Sequence, residues 1–559
     1  MKRSLRRSRL LPRLRVFLSG ALFLATLTIP VTPAQATMTF VISGRGYGHG
    51  IGLSQWGAKG YADKGWTYGA ILRHFYQGTS VTYDALVSTG TVKVNLDPSA
   101  NSSNGGYTRS SWTLSPGHSG GRLLVSGHAD NLVPNAAYVF TPVGSSVKVR
   151  LASGTASFTV SRYVDVKERG LTTSLVRVAE GTGIYGRANQ AHRGVLKLTP
   201  NNSSSAPRLK LVGFLPMDAY LYGVVPAESP SSWPREALRA QAVAARSYAK
   251  TTGGEMYCTT SHQAYLGFNG EAAATTQAVK DTAGRLVTYA GAVVKAFFFS
   301  SSGGHTANIE DVWSSAIPQP YYRGVDDADI GAGSSLAASW GTPIRYTDSA
   351  LAAKLRSYDA RDGVYQYTPQ GTAMLTAISI GRADGDFARS VTMSWSGGAI
   401  TIAKGDWFRA ALGLRSTKFF ISRESSTKRT EQNDKRVVYT SSWRTAFSTV
   451  HSGGSYSYSS RTSATATVRF NGTSLAIIGP RYPHFGRANV YVDGRYVRTI
   501  SAYSATSRFK QRLFSATGLS STTTHTVTVK VTGTRDAASK GVCFGLDAID
   551  IDGGDTLVP

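Results

Sequence analysis

Cysteine is nearly absent: Cys258 and Cys543 are the only two in 559 residues. A disulfide-stapled scaffold is therefore excluded. The two lie far apart in segments of different character, which argues against a mutual bridge. Acid is scarce beside base, with 33 Asp and Glu against 61 Lys and Arg, a net charge of +28. No zinc finger or other nucleic-acid motif accompanies that charge, so nucleic acid is not an expected partner. Beyond residue 36 no apolar run reaches the roughly 20 residues that a spanning helix needs. No Gly-x-Ser-x-Gly elbow of serine hydrolases surrounds Ser300, Ser301 or Ser302, and there is no convincing long-period repeat. What is present is a hydrophobic fraction of 41%, only 17% charged residues, and 59 glycines. That mixture describes a folded, loop-rich, strand-containing chain. Its length predicts two or more domains.

The N-terminus reads as an address. Lys2, Arg3, Arg6, Arg7, Arg9, Arg13 and Arg15 precede an apolar run over residues 16–29, which Pro30 and Pro33 end. Ala34-Gln35-Ala36 places small residues where a signal peptidase reads. We expect a signal peptide over 1–36, cleavage after Ala36, and a secreted, extracellular product with no stable transmembrane segment. The segment holds seven of the basic residues and no acid, so the chain beyond it keeps +21 of the +28. Outside a cell, the polyanions that such a surface attracts are wall polymers, anionic lipid and stem-peptide carboxylates.

Past the signal, a short strand over 39–42 runs into Gly44-Arg45-Gly46-Tyr47-Gly48-His49-Gly50-Ile51-Gly52. Ser54 and Thr67 are suited to cap two helices, the second over 68–77. Residues 81–211 alternate apolar and polar side chains, as at 91–96 and 146–151, the pattern of half-buried strands. A long helix begins near Ser232, which can cap it, with Pro234 in its first turn, and another covers 272–283. Residues 426–436 read as a charged linker. From 437 to 559, short strands at 464–470, 488–492 and 524–529 predict an antiparallel β-sandwich.

Four constellations could carry chemistry. Glycine at every second position from Gly44 to Gly52 would, in an extended chain, bare one face for close approach. The other face would carry Arg45, Tyr47, His49 and Ile51. Close packing with a satisfied His49 explains the run equally well. Glu228 follows an apolar stretch and precedes the long helix; apolar surroundings raise a carboxyl toward general-acid use, whereas the helix start opposes that rise. A favourable acid near a helix N-terminus is the plainer reading. Ser300-Ser301-Ser302-Gly303-Gly304-His305-Thr306 suits either a binding loop or an ordinary polar turn. Cys258 and His262 stand four apart and supply two zinc-type ligands, which do not complete a site.

Taken together, these segments resemble the SpoIID/LytB family. Tyr220-Leu221-Tyr222-Gly223-Val224-Val225-Pro226-Ala227-Glu228, Glu236-Ala237-Leu238-Arg239-Ala240-Gln241-Ala242-Val243-Ala244-Ala245-Arg246-Ser247-Tyr248 and Ser301-Ser302-Gly303-Gly304-His305-Thr306 carry the likeness. So does Gly46-Tyr47-Gly48-His49-Gly50-Ile51-Gly52-Leu53-Ser54-Gln55-Trp56-Gly57-Ala58. The resemblance covers most of 38–422 and departs from the family in three ways. The Gly-His-Gly motif precedes the other motifs instead of following them, as in a circular permutation. Ser229 replaces the Met common after the glutamate. His262 stands near where relatives often carry Cys, which weakens the case for zinc.

The resemblance implies work on peptidoglycan. It places the family's catalytic glutamate on Glu228, and His49, Gln55, Arg246, Tyr248, Ser301, Ser302 and His305 in the substrate cleft. No cofactor is expected, with Cys258 and His262 only weak metal candidates. The expected fold is α+β: a mixed SpoIID-like domain over 37–425, then the linker and a sandwich over 437–559, for which carbohydrate binding and a spacer role stay open. The leading expectation is a secreted, cell-wall-associated lytic transglycosylase. The alternatives are a non-catalytic enhancer of a wall amidase and a surface glycan adhesin. The displaced Gly-His-Gly segment also yields a geometric expectation: His49 and Glu228 should face one cleft.

Overall fold

The computed structural model describes residues 38–558, apart from 130–131, 171–172, 204, 314, 363–365, 404, 426, 441, 473, 521–522 and 553–555. The expected signal peptide lies outside the described residues. The chain divides into two compact units, Met38–Glu424 and a C-terminal unit beginning at Ser425.

In the first unit, the alternating segments form two six-stranded sheets. Thr91–Asn95, Leu209–Pro216 and Val195–Pro200 lie side by side in one; Trp112–Pro116, Tyr138–Val143 and Ser146–Leu151 in the other. Their inward residues, among them Val94, Leu114, Val149, Leu196 and Leu211, share one core. Helices α3 (Met217–Glu228) and α4 (Arg235–Thr252) add Leu221, Val225, Ala242 and Ala245 to it. The opposite stripe of α4, Ala237, Ala240 and Ala244, meets a second core with α1 (Gln55–Asp63) and α2 (Tyr68–Phe75). The caps of α1 and α2 are as expected: Ser54 Oγ accepts from Gly57 N–H and Thr67 Oγ1 from Ala70 N–H. Helix α5 (Ala273–Asp281) occupies the other expected position.

Three local expectations are corrected. Ser232 does not cap α4; the N-cap is Pro234, whose side chain bonds nothing. The segment before Glu228 is the helix α3, which contains Gly223 and Pro226 and was hidden by those two helix-disfavouring residues. Glu228 therefore sits at the negative end of its own helix as well as before the next. The glycine run is not extended: Gly46, Gly48, Gly50 and Gly52 all have φ between +74° and +113°.

The N-terminal segment is threaded through the unit. Met38–Gly44 lies between Ile344–Thr347 and Phe419–Ser425 in one sheet. Leu53–Ser54 then pairs in parallel with Phe298–Phe299, and Tyr47 bridges Ser301. Here the glycines matter. A Cβ at Gly48 would meet Phe299 Cβ at 2.7 Å, and one at Gly52 would meet the Phe297 carbonyl oxygen at 2.3 Å. The close approach inferred from the run is thus to the protein's own chain.

The C-terminal unit is antiparallel β throughout its named strand pairs. Thr465–Asn471, Thr524–Val531 and Arg487–Val492 are adjacent in one sheet; Ala548–Asp552, Ser474–Arg481 and Arg508–Thr517 in another. Val468, Phe470, Ile477, Val490, Phe514, Val527 and Ile549 fill the core. The expected linker is partly strand: Lys428–Glu431 pairs with Ala548–Asp552 as an edge of this unit. Arg429 fixes it there by bonding Asp550 through Nε and Nη2 at 2.7 and 2.8 Å.

Candidate active site

Glu228 is half-buried at the C-terminal end of α3. Oε2 accepts from the Gln55 side-chain amide at 3.0 Å, and Oε1 from the Ala264 backbone N–H at 2.7 Å. Burial pushes the carboxyl above its ordinary range, while those two hydrogen bonds oppose the rise. Each donor is itself fixed. Gln55 is the first residue of α1, so the cap at Ser54 sets its direction. The loop that carries Ala264 is held by Gln263, which donates to Ala245 O and accepts from Tyr220 Oη. Gly223 allows Tyr265 to lie against α3, where a Cβ would come within 2.6 Å of its ring.

Aromatic side chains flank the carboxyl. Tyr248 packs edge-on to Phe297, with centroids 6.0 Å apart, and burial, with a smaller contribution from Glu228, raises its phenol. Phe297 in turn meets the His49 ring at 6.0 Å. Tyr248, Phe297 and His49 thus form one chain of ring contacts. His49 Nδ1 accepts from Ile51 N–H at 3.0 Å, which leaves the proton on Nε2. Burial, then the charge of Arg409, lowers its pKa to about 4, so the ring is neutral near pH 7. Trp56, next to Gln55, pairs with Trp233 at 4.9 Å, and both are half-buried.

Several expected binding residues have other work. Arg246 is fully buried. It bonds Asp218 and donates to the carbonyls of Val279, Thr282 and Arg285. It ties α3 to the C-terminal end of α5, where a cation is favoured, and presents nothing to a ligand. Ser301 and Ser302 are also buried, their hydroxyls bonded to Asp329 at 2.7 Å and Asp327 at 2.6 Å. Asp329 further accepts from Gly303 and Gly304 N–H. His305 is partly exposed, but its Nδ1–H is directed at the Thr306 carbonyl at 2.7 Å. Cys258 is buried, its thiol pushed up to about 12, mainly by that burial. His262 Nδ1 accepts from Tyr257 N–H. The pair does not fit a zinc site, and among the described residues no group of three or more His, Cys, Asp or Glu could hold a metal ion.

Residue reasoning missed Asp327, Asp329 and Lys418. Burial, then the neighbouring Asp329, pushes the Asp327 carboxyl up to about 7. Lys418 is fully buried, donates to the carbonyls of Gly303 and His305, and is lowered to about 8, chiefly by burial. The run Asp326-Asp327-Ala328-Asp329 in so basic a chain was the available signal.

The family model for the stage II sporulation protein SpoIID matches residues 205–289, a span from before α3 to just past α5. The chain carries a SpoIID-family segment. With the relatives below, it bears out the SpoIID/LytB resemblance read from the motifs. An amidase enhancer of Bacillus subtilis is 44% identical over 99 residues, 18% of this chain and 14% of that protein. The stage II sporulation protein D of the same organism is 32% identical over 126 residues, 19% of this chain and 37% of that one. Its counterpart in Bacillus amyloliquefaciens is 27% identical over 235 residues, 38% of this chain and 62% of that one. In each comparison the match spans less than two thirds of the relative. Among solved structures, a two-domain esterase active on acetylated mannans overlaps 24% of this chain and 38% of its own, at 16% identity and a TM-score of 0.19, too low for any argument. The SpoIID segment contains Glu228 and Ala264 but not Gln55, which reaches Glu228 from the threaded N-terminal segment.

Proposed function

We propose that the chain is a peptidoglycan lytic transglycosylase in which Glu228 serves in turn as acid and base. The observation that carries this reading is the setting of one carboxyl: half-buried, raised by burial, and fixed through both oxygens by Gln55 and Ala264. Each carboxyl oxygen has two lone pairs, so a proton can occupy Glu228 without displacing either donor. As acid, Glu228 gives that proton to the oxygen joining MurNAc C1 to the next sugar, and the C1–O bond breaks with its electron pair on oxygen. As base, the carboxylate then takes the proton from the muramic C6 hydroxyl. O6 bonds to C1, the 1,6-anhydro ring closes, and Glu228 is again protonated. No water is consumed, so a second carboxylate to activate it is not required. Asp218 is committed to Arg246. Trp56 and Trp233 offer ring faces to the apolar side of a sugar.

A wall role is supported by relatives named for sporulation and for enhancing an amidase. The latter likeness favours a second reading, in which the cleft binds glycan without cutting it and stimulates a wall amidase. Purified protein with intact glycan strands separates the two. Anhydromuramyl ends that vanish in Glu228→Gln support cleavage. Intact strands, together with faster release by an added amidase, support the second reading.

Either activity places the protein outside the membrane. Residues 1–36 supply the export signal, and among the described residues no helix is long and apolar enough to cross a membrane. N-terminal peptide mapping of the secreted protein should find Thr37 first.

A further inference from the structure

The C-terminal unit has a built pocket that the proposed reaction does not use. A cavity of about 440 Å³ opens beside the edge strands Val438–Thr440 and Arg444–Phe447, within the usual size range of small-ligand sites. Gln432, Asp434, Tyr439, Ser442, Trp443 and Ser457 are among its lining residues.

Two polar atoms in that lining are buried and unpartnered: the indole N–H of Trp443 and Oε1 of Gln432. An unmade hydrogen bond at a buried group costs about 1–3 kcal/mol, so a protein rarely leaves two in one cavity without a use. Gln432 is fully buried and cannot turn away to find water. Its Nε2 donates to Ser455 Oγ at 2.8 Å, and its backbone carbonyl accepts from Tyr439 Oη at 2.8 Å. Tyr439 lies against the Trp443 ring at 5.0 Å. The acceptor and the Tyr439 ring are thus held in place before any ligand arrives, with Trp443 packed against that ring.

The ligand's chemistry follows from what is missing. It must accept from the indole and donate to the amide oxygen, which a hydroxyl-bearing molecule does. It must have an apolar face to meet Trp443 and Tyr439. It need not be charged: Asp434 is already paired with Arg436 at 2.7 and 2.8 Å. A neutral pyranose satisfies all three conditions. We propose that this pocket binds a neutral saccharide, with Trp443 as the stacking platform and hydrogen-bond donor and Gln432 as the acceptor. The proposal does not depend on catalysis at Glu228.

The test uses the full chain, ¹⁵N-labelled, and follows the indole N–H signals of its nine tryptophans. Trp443→Phe identifies the Trp443 signal by its loss. The probes are cellotetraose, maltotetraose and the β-1,4-linked tetramer of N-acetylglucosamine, titrated separately. At least one should shift the Trp443 signal, and Glu228→Gln should leave that titration unchanged. Gln432→Ala should weaken it at least tenfold, with the other eight indole signals reporting an intact fold. Should that variant not fold, saturation transfer to the sugar in Trp443→Phe decides instead, with at least a tenfold loss expected. A Trp443 signal unmoved by all three sugars overturns the proposal. So does a folded Gln432→Ala, or in its place Trp443→Phe, that binds like the parent.

Discussion

Gln55 and Glu228 are 173 positions apart in the chain, and their side chains meet at 3.0 Å. The bond depends on the threaded N-terminal segment, since Gln55 begins α1 directly after the pairing of Leu53–Ser54 with Phe298–Phe299. The Gln55 amide favours the carboxylate and so holds the Glu228 pKa down against burial. Removing it in Gln55→Ala should raise that pKa. The step that needs the protonated acid declines as pH rises through this pKa, so the declining limb of the rate profile should move to higher pH. Loss of a hydrogen bond to a charged group, about 2 kcal/mol, should also lower kcat/KM by roughly thirtyfold. Anhydromuramyl release measured across pH checks both effects.

The same threading predicts where a methyl group cannot be tolerated. Gly52 has φ +77°, and an added Cβ would sit 2.3 Å from the Phe297 carbonyl oxygen. Gly65 has a similar φ of +83° but open space around it. Gly65→Ala should therefore cost only the left-handed backbone penalty, about 1–2 kcal/mol. Gly52→Ala should cost clearly more, because backbone must also shift. Denaturant unfolding of the two variants side by side measures the difference.

Much of this architecture was legible because it is local. Ser54 and Thr67 announce their helices, and the alternation at 146–151 and 524–529 marks half-buried strands whose burial follows the pattern. Helix α3 was not legible: Gly223 and Pro226 suppress its helical signature, and tertiary packing against Tyr265 overrides them. Glu228 was found through its motif, but Ala264 could not be, because a backbone N–H carries no residue signature. The cleft roles expected of Arg246, Ser301 and Ser302 share one ambiguity, since all three are buried. Polar side chains within a shared motif look alike whether they face a ligand or satisfy buried backbone and carboxylate groups, and only burial separates the two.

Asp327 gives the fold a pH dependence whose sign can be worked out. Its carboxyl is pushed from about 3.8 to about 7 in the folded chain. Below about pH 4 both states are protonated and the group is neutral to stability. Between about 4 and 7 the unfolded chain releases the proton while the folded chain keeps it, so stability falls as pH rises; above about 7 the loss is complete. Asp327→Asn removes the titration. Its stability relative to the parent should climb by a few kcal/mol from pH 4 to pH 7 and then level off. Urea unfolding at a series of pH values checks this, and a difference that stays constant with pH would refute it.

Arg246 tests whether a motif residue serves the substrate or the scaffold. Its guanidinium bonds Asp218 and three backbone carbonyls in a site closed to solvent. Removing one partner of a buried pair leaves the other uncompensated, at a cost of about 3–5 kcal/mol. Arg246→Ala should therefore lower the unfolding free energy by that order. Arg246→Lys should recover little, because a single ammonium cannot span carbonyls at and beyond the end of α5 and a carboxylate on α3. Whatever protein folds should bind glycan with an unchanged Kd. A large rise in Kd at full stability would instead return Arg246 to the cleft.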